Sequence, residues 1–359
     1  MVEAAGSIDA LISLNASGLR QLGLTQEIAN AILQPDETLI ESDLAWLSEP
    51  GHSLITWESD LYPALLRRIP SPPAALFVDG NPDVLWQPQV AVIGSRNPSG
   101  GGLEHARAFS AEFCRRGITI TSGLASGIDS AAHDAALCSD GDTIAVTGTG
   151  LDIVYPSSSM GIAERIRIKG ALVSEFPLGT TPKRSHFPSR NRIISGLSLG
   201  VLVIEAGLNS GTLITARKAA EQGRDVFALP GSVHNPMVKG CHRLIREGAR
   251  LVETVDDVLS ELGPLASELA HELRCRINTS GEADADQTNA ESVGSPSELL
   301  SDPDYQILWK ALEFDPLGVD ELVVQSLLPA RSVSSMLLML ELRGMVTPHS
   351  SGRYSRNNF

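Results

Sequence analysis

Between residues 88 and 262 the chain alternates two textures. Apolar, β-branched runs without polar alternation fall at 90–93, 118–121, 143–146, 171–173, 201–204, 226–229 and 250–252. Such runs predict strands buried on both faces. Segments with helical spacing separate them, at 103–116, 128–138, 160–169, 212–222, 240–247 and 255–262. Strand and helix in turn predict an α/β domain, a parallel sheet covered by helices. Ligands of such sheets gather beyond the carboxyl ends of the strands, so chemistry is sought in the loop that follows each strand.

The flanks read differently. Leu11, Ile12, Leu14, Leu19, Leu22 and Leu24, then Ile28, Ala29, Ile32 and Leu33, recur near helical spacing, broken by Pro35, Pro50 and Pro63. They predict short helices over residues 1–75. Pro70, Pro72, Pro73 and Pro82 form an extended approach, and a domain boundary is placed there, with the next domain over 76–262. Residues 278–303 hold six acids and no Lys or Arg, which suits a self-repelling linker within 263–303. Helical segments at 304–313, 319–327 and 331–343 then lead to a hairpin around Ser350-Ser351-Gly352. Three helices and a hairpin predict a small winged-helix domain over 304–359.

Charge changes this picture by its distribution. The 359 residues carry a net −15, which on average opposes a nucleic-acid partner, because phosphates are held by Lys and Arg. By segment the nets are −9 for 1–87, +1 for 88–262, −5 for 263–301 and −2 for 302–359. Within the core, residues 176–220 hold six bases, Lys183, Arg184, Arg190, Arg192, Arg217 and Lys218, against the single acid Glu205. The positive charge is therefore local.

Other signals exclude classes. Cys114, Cys138, Cys241 and Cys275 are scattered without a CxxC pair, which supports neither a zinc site nor a disulfide framework and fits a reducing cytoplasm. No basic signal start and no apolar run of ~18 residues occurs, so no membrane partner is expected. GxxxxGK[ST] and HExxH are absent, and neither a metal nor a cofactor has a candidate cluster.

The post-strand loops converge on anion binding. Gly94-Ser95-Arg96 precedes a helix whose first amides attract phosphate, and Arg96 adds a bidentate donor. Ser122, Gly123 and Gly127 form small-residue turns into the next helix, where Asp129 and His133 share one face as a conceivable acid/base dyad. Gly148-Thr149-Gly150 is a weak GxG element. In the basic segment, Lys183, Arg184, Arg190, Asn191 and Arg192 surround Phe187, a combination suited to holding a backbone while a base stacks. Ser210-Gly211-Thr212 opens another helix, and Lys239 follows the sixth strand. Glycine-bearing loops and a cationic belt on one edge point to a groove for an extended polyanion.

GSR at 94–96, SGLASGIDSAAH at 122–133, GTGLDIVYP at 148–156, SEFPLG at 174–179, FPSRNRIISGLS at 187–198 and SGTLITARKAAEQGRDVFALPG at 210–231 resemble the DNA-processing protein family DprA, also called Smf. The resemblance implies an extended Rossmann-like core, with a helical sterile-alpha-motif-like domain before it and a winged-helix domain behind. It implies a non-catalytic recombination mediator that binds incoming single-stranded DNA during natural transformation, shields it, and loads RecA onto it as a homodimer. Carried over residue by residue, its binding positions fall on Arg96, Lys183, Arg184, Phe187, Arg190, Asn191, Arg192, Ser210, Gly211, Thr212 and Lys239. Asn15-Ala16-Ser17-Gly18-Leu19 stands where the family usually has a Gly-x-Gly turn. Two other readings stay open: a nucleotide-handling enzyme using Asp129, His133 and Glu205, and a scaffold that binds partners through its winged helix.

Overall fold

The computed structural model describes residues 8–263 continuously, and beyond them chiefly 303–312, 317–326, 346–349 and 353–356. The acidic stretch 278–302 and most of the helix expected at 331–343 lie outside the described residues. The chain divides into two units, Met1–Arg276 and Ile277–Phe359.

In the first unit, four short helices open the chain: α1 (Ile8–Ile12), α2 (Ala16–Gln21), α3 (Gln26–Leu33) and α4 (Glu37–Leu47). Asn15, Thr25 and Asp36 cap the last three with side-chain oxygens, as their residue types favour. Leu19, Leu24 and Ala29 form the buried centre of this group. Its last helix reaches the sheet, where Trp46 stacks on His52 with ring centroids 3.8 Å apart. Asp43 also accepts a hydrogen bond from the Leu178 amide at 3.2 Å.

The sheet then begins earlier than the prolines suggest. Strand β1 (His52–Thr56) pairs antiparallel with β2 (Ala75–Gly80), and the short helix α5 (Ala64–Arg67) lies between them. Here the prolines shape the turn into β2 instead of separating domains. The apolar run that marks β2, Ala74-Ala75-Leu76-Phe77-Val78, follows directly on Pro72 and Pro73.

From β3 onward each expected strand is present. The order is β3 (Gln89–Ile93), α6 (Gly100–Arg115), β4 (Thr119–Ser122), α7 (Ile128–Cys138), β5 (Thr143–Val146), α8 (Met160–Lys169) and β6 (Ala171–Ser174). It continues with α9 (His186–Leu197), β7 (Gly200–Val203), α10 (Thr212–Glu221), β8 (Asp225–Ala228), α11 (Lys239–Arg246) and β9 (Arg250–Leu251). The sheet order is β1-β2-β6-β5-β4-β3-β7-β8-β9, parallel from β6 to β9. Strand side chains divide between two layers. Val90 and Val92 pack with Phe109, Phe113 and Ala132 on one face, while Ala91 and Ile93 pack with Ile193, Leu197 and Ala216 on the other.

Helix α9 is the second departure, because the sequence predicts the basic segment as a loop feeding a strand. Pro188 is its third residue, where the missing N–H has no intrahelical acceptor to lose. Ile193, Ile194 and Leu197 give it a buried face.

The second unit contains α12 (Pro303–Ala311), β10 (Leu317–Gly318), α13 (Val319–Ser326), β11 (Val346–His349) and β12 (Arg353–Arg356). The strands form a sheet in the order β10-β12-β11, and Leu308, Leu322, Leu337, Leu340 and Val346 are buried together beside it. Helices with a β-hairpin wing make the expected winged-helix arrangement. Among the described residues no helix is long and apolar enough to cross a membrane.

Candidate nucleic-acid interface

The chain adds β4, β5 and β6 on one side of β3 and then returns to add β7, β8 and β9 on the other. Loops leaving β3 and β7 therefore diverge, and a crevice opens at this switch point. It is a cleft of about 920 Å³. Its walls are the loop after β3 with Arg96, the turn before α10 with Ser210, Gly211 and Thr212, and the start of α9 with Arg184, Phe187, Arg190 and Asn191. Eight of the fourteen expected site residues meet here.

Their side chains play different parts. Arg96 and Arg184 are exposed cations, while Phe187 is half-buried. The Arg96 guanidinium lies 5.5 Å from the Phe187 ring centroid and that of Arg190 lies 5.9 Å away. The turn before α10 is hooked across the crevice: Thr212 Oγ1 donates to the Gly94 carbonyl at 2.9 Å. Asn191 Nδ2 donates to Thr215 Oγ1 at 2.7 Å, which ties α9 to α10.

Arg190 is not a surface cation, being only 4% exposed. Its Nη2 donates to the Gly123 carbonyl at 2.9 Å, while the buried Asp129 carboxylate accepts from the Gly123 and Ala125 amides at 3.2 and 3.4 Å. Burial brings the Arg190 pKa down to about 10, with Asp129 opposing the shift and Arg96 adding to it. Burial likewise pushes the Asp129 carboxyl up, with Arg190 opposing. Two separate motifs are thus brought together as opposite buried charges that influence one another, each held by the Gly123 backbone and not by direct contact. Gly123 is required between them, because a Cβ there would overlap the Arg190 guanidinium.

The remaining expected residues lie outside the cleft lining. Ser122 has no exposed surface, and its Oγ donates to the Val92 carbonyl at 2.6 Å. Gly127 has φ +84°, and a Cβ on it would stand 2.7 Å from the Arg96 carbonyl oxygen, so it shapes the loop that presents Arg96. Arg192 is paired with Glu175, both side chains largely buried. Lys183 is exposed just before α9, and Lys239 is exposed at the start of α11.

The acid/base groups are committed elsewhere. His133 Nδ1 is 2.7 Å from Thr143 Oγ1, and burial lowers the His133 pKa to about 3, so the ring is neutral. It makes no dyad with Asp129. Glu205, 4% exposed, accepts from the Ser99 amide at 2.9 Å and from Ser99 Oγ at 2.5 Å, which anchors the start of α6. Two exposed cations, helix-start amides and an aromatic ring can hold phosphates and a base. One lining residue escaped the sequence reading: Tyr155, an aromatic projecting from the loop after β5. Its only signal is the aromatic preceding Pro156 in GTGLDIVYP.

Comparison with known proteins decides the lineage. A family model described as DNA recombination-mediator protein A matches residues 53–263 and one described as the DprA winged helix domain matches 290–352. The chain belongs to the DNA recombination-mediator protein A family. The first match starts within β1, at the observed edge of the sheet. The chain is 49% identical over 250 residues to Protein Smf of Escherichia coli (strain K12), covering 69% of this chain and 67% of that protein. It is 48% identical over 212 residues to DNA processing protein DprA of Streptococcus pneumoniae, covering 59% and 74% respectively. The X-ray structure of DprA from Streptococcus pneumoniae matches with a TM-score of 0.60 and 43% identity, over 64% of this chain and 79% of that one. DprA from Helicobacter pylori, whose structure concerns its single-stranded DNA binding mode, matches with a TM-score of 0.54 and 27% identity, over 60% and 96%. Membership assigns the chain a DNA-processing, recombination-mediator role.

Proposed function

We propose that this cleft binds single-stranded DNA, and that the chain shields incoming transforming strands and loads RecA onto them, as a cytoplasmic homodimer without chemistry of its own. The observation that carries the reading is the grouping of Arg96, Arg184 and Phe187 at the switch point, beside the amide-rich start of α10. Arg96 and Arg184 hold phosphates, the turn Ser210-Gly211-Thr212 receives another, and Phe187 stacks on a base. Lys183 and Lys239 hold the strand from the rim. Ser122, Gly123, Gly127, Arg190, Asn191 and Arg192 shape the walls. In this scheme the acidic helices α1–α4 precede the sheet, and the linker 263–303 leads from the sheet's domain to the winged helix at 304–359.

Anisotropy titration of a labelled single strand tests the reading. Arg96→Ala or Arg184→Ala should weaken binding to all sequences and flatten the log–log salt dependence by about 0.7 for each phosphate no longer neutralised. An unchanged slope in both variants would remove their assigned roles. RecA nucleation on protein-coated strands, with and without the chain, tests the loading step. Nucleotides and labelled strands incubated with the protein should return unaltered. Turnover beyond stoichiometry that Glu205→Gln abolishes would favour the enzymatic reading instead.

A further inference from the structure

We infer that Tyr155 is a second base-stacking residue, which forms with Phe187 an aromatic corner for two successive bases; this rests on the single-strand reading above. Tyr155 leaves the sheet on the loop after β5, whereas Phe187 stands in the first turn of α9. Although distant in sequence, their ring centroids are 5.6 Å apart with planes inclined by 48°. Tyr155 lines the cleft and keeps 44% of its surface exposed. Its neighbour Val154 packs inward against a core cluster, so the loop turns one side chain in and the other out.

The geometry decides how the two rings are used. A base clamped between parallel rings needs about 7 Å between them, twice a carbon–carbon contact of ~3.5 Å. Rings at 5.6 Å and 48° leave no such slot. Each ring therefore offers its own outer face, and bases stacked on the two faces are turned away from each other. Phe187 is already crowded by the guanidinium groups of Arg96 and Arg190, and one edge of its ring lies against Gly148. Tyr155 is the more accessible face. Stacking of this kind is tolerant of sequence, because every base has a π-face.

The test uses the full chain, a labelled oligothymidine and the same strand with central abasic sites, titrated at several salt concentrations. Tyr155→Leu should weaken binding of the intact strand about 5- to 150-fold, the range for one stacked base. Tyr155→Phe should stay within about 2-fold of the parent, since the π-face is what binds. The salt slope should be unchanged in Tyr155→Leu, and the preference for intact over abasic strands should shrink. Binding of Tyr155→Leu within about 2-fold of the parent overturns the inference, as does an equal loss on intact and abasic strands, which would mean a distorted loop. If the parent binds the strand with an Arg96-dependent salt slope while Tyr155→Leu is unaltered, only the role of Tyr155 falls. If the parent does not bind single strands at all, the reading of the cleft falls with it.

Discussion

Replacing Arg190 by Met should damage the fold before it damages ligand binding. Met fills much of the space but leaves Asp129 as a buried carboxylate with two amide donors and no counter-charge. Breaking a buried contact ion pair costs about 3–5 kcal/mol, an upper bound for removing the cation that faces Asp129 without touching it. In a unit of this size, where each kcal/mol moves Tm by roughly 2–4 °C, the melting point should fall by up to roughly 6–20 °C. The pH dependence carries a sign. Burial holds the Asp129 carboxyl above its ordinary range and Arg190 opposes that rise, so the variant's carboxyl climbs further. A carboxyl raised on folding costs nothing below its unfolded pKa of about 3.9, and the cost appears as pH rises through the folded value. The deficit of Arg190→Met should therefore shrink as pH is lowered from 8 to 5, and adding Asp129→Asn should recover most of it. Urea unfolding of the parent, the two single variants and the double variant across that range measures both effects. A loss below about 1 kcal/mol, or no recovery in the double variant, would refute the claim that the pair is structural.

Three further outcomes are expected. Gly127→Ala should lose about 1–3 kcal/mol in denaturant unfolding, because φ +84° is unfavourable for Ala and its Cβ would press on the Arg96 backbone. Glu205→Gln should lower thermal stability by about 1–3 kcal/mol as Ser99 is deprived of its carboxylate partner, while strand affinity at permissive temperature stays close to the parent. The Arg96→Ala and Phe187→Ala losses in strand binding should fail to add, with a coupling of about 0.5–2 kcal/mol in a double-mutant cycle, since the guanidinium and ring already lie together in the free cleft.

The parallel core was legible because its strands are buried on both faces and its helices begin at glycine-rich loops. Charge counting located the cationic segment but could not sort its members. Arg190 and Arg192 are two residues apart on α9, yet one is buried with Asp129 and the other is paired with Glu175, an acid just outside the basic stretch. Which cation is free depends on helix phase and on partners brought in by the sheet. Helix α9 was itself hidden by Pro188 and its polar first turn. The β1–β2 pair was hidden because β1 holds only two apolar residues, Leu54 and Ile55, and β2 follows directly on a run of prolines. The apparent dyad of Asp129 and His133 was plausible from spacing alone, whereas the packing gives each a different neighbour.

The reversed hairpin at the sheet's flank also sets a timetable for biosynthesis. Besides β1, β2 is seated on β6, with Gly80 opposite Ala171, so the hairpin made first joins the rest of the sheet only after the ribosome has added everything between them. At elongation of roughly 5–20 residues per second, this takes on the order of 5–20 s. Throughout that interval Leu76, Phe77 and Val78, all buried in the finished protein, are presented on a nascent chain without their sheet. A fragment that starts at residue 88 has the converse problem, since β6 becomes an open edge able to recruit a foreign strand.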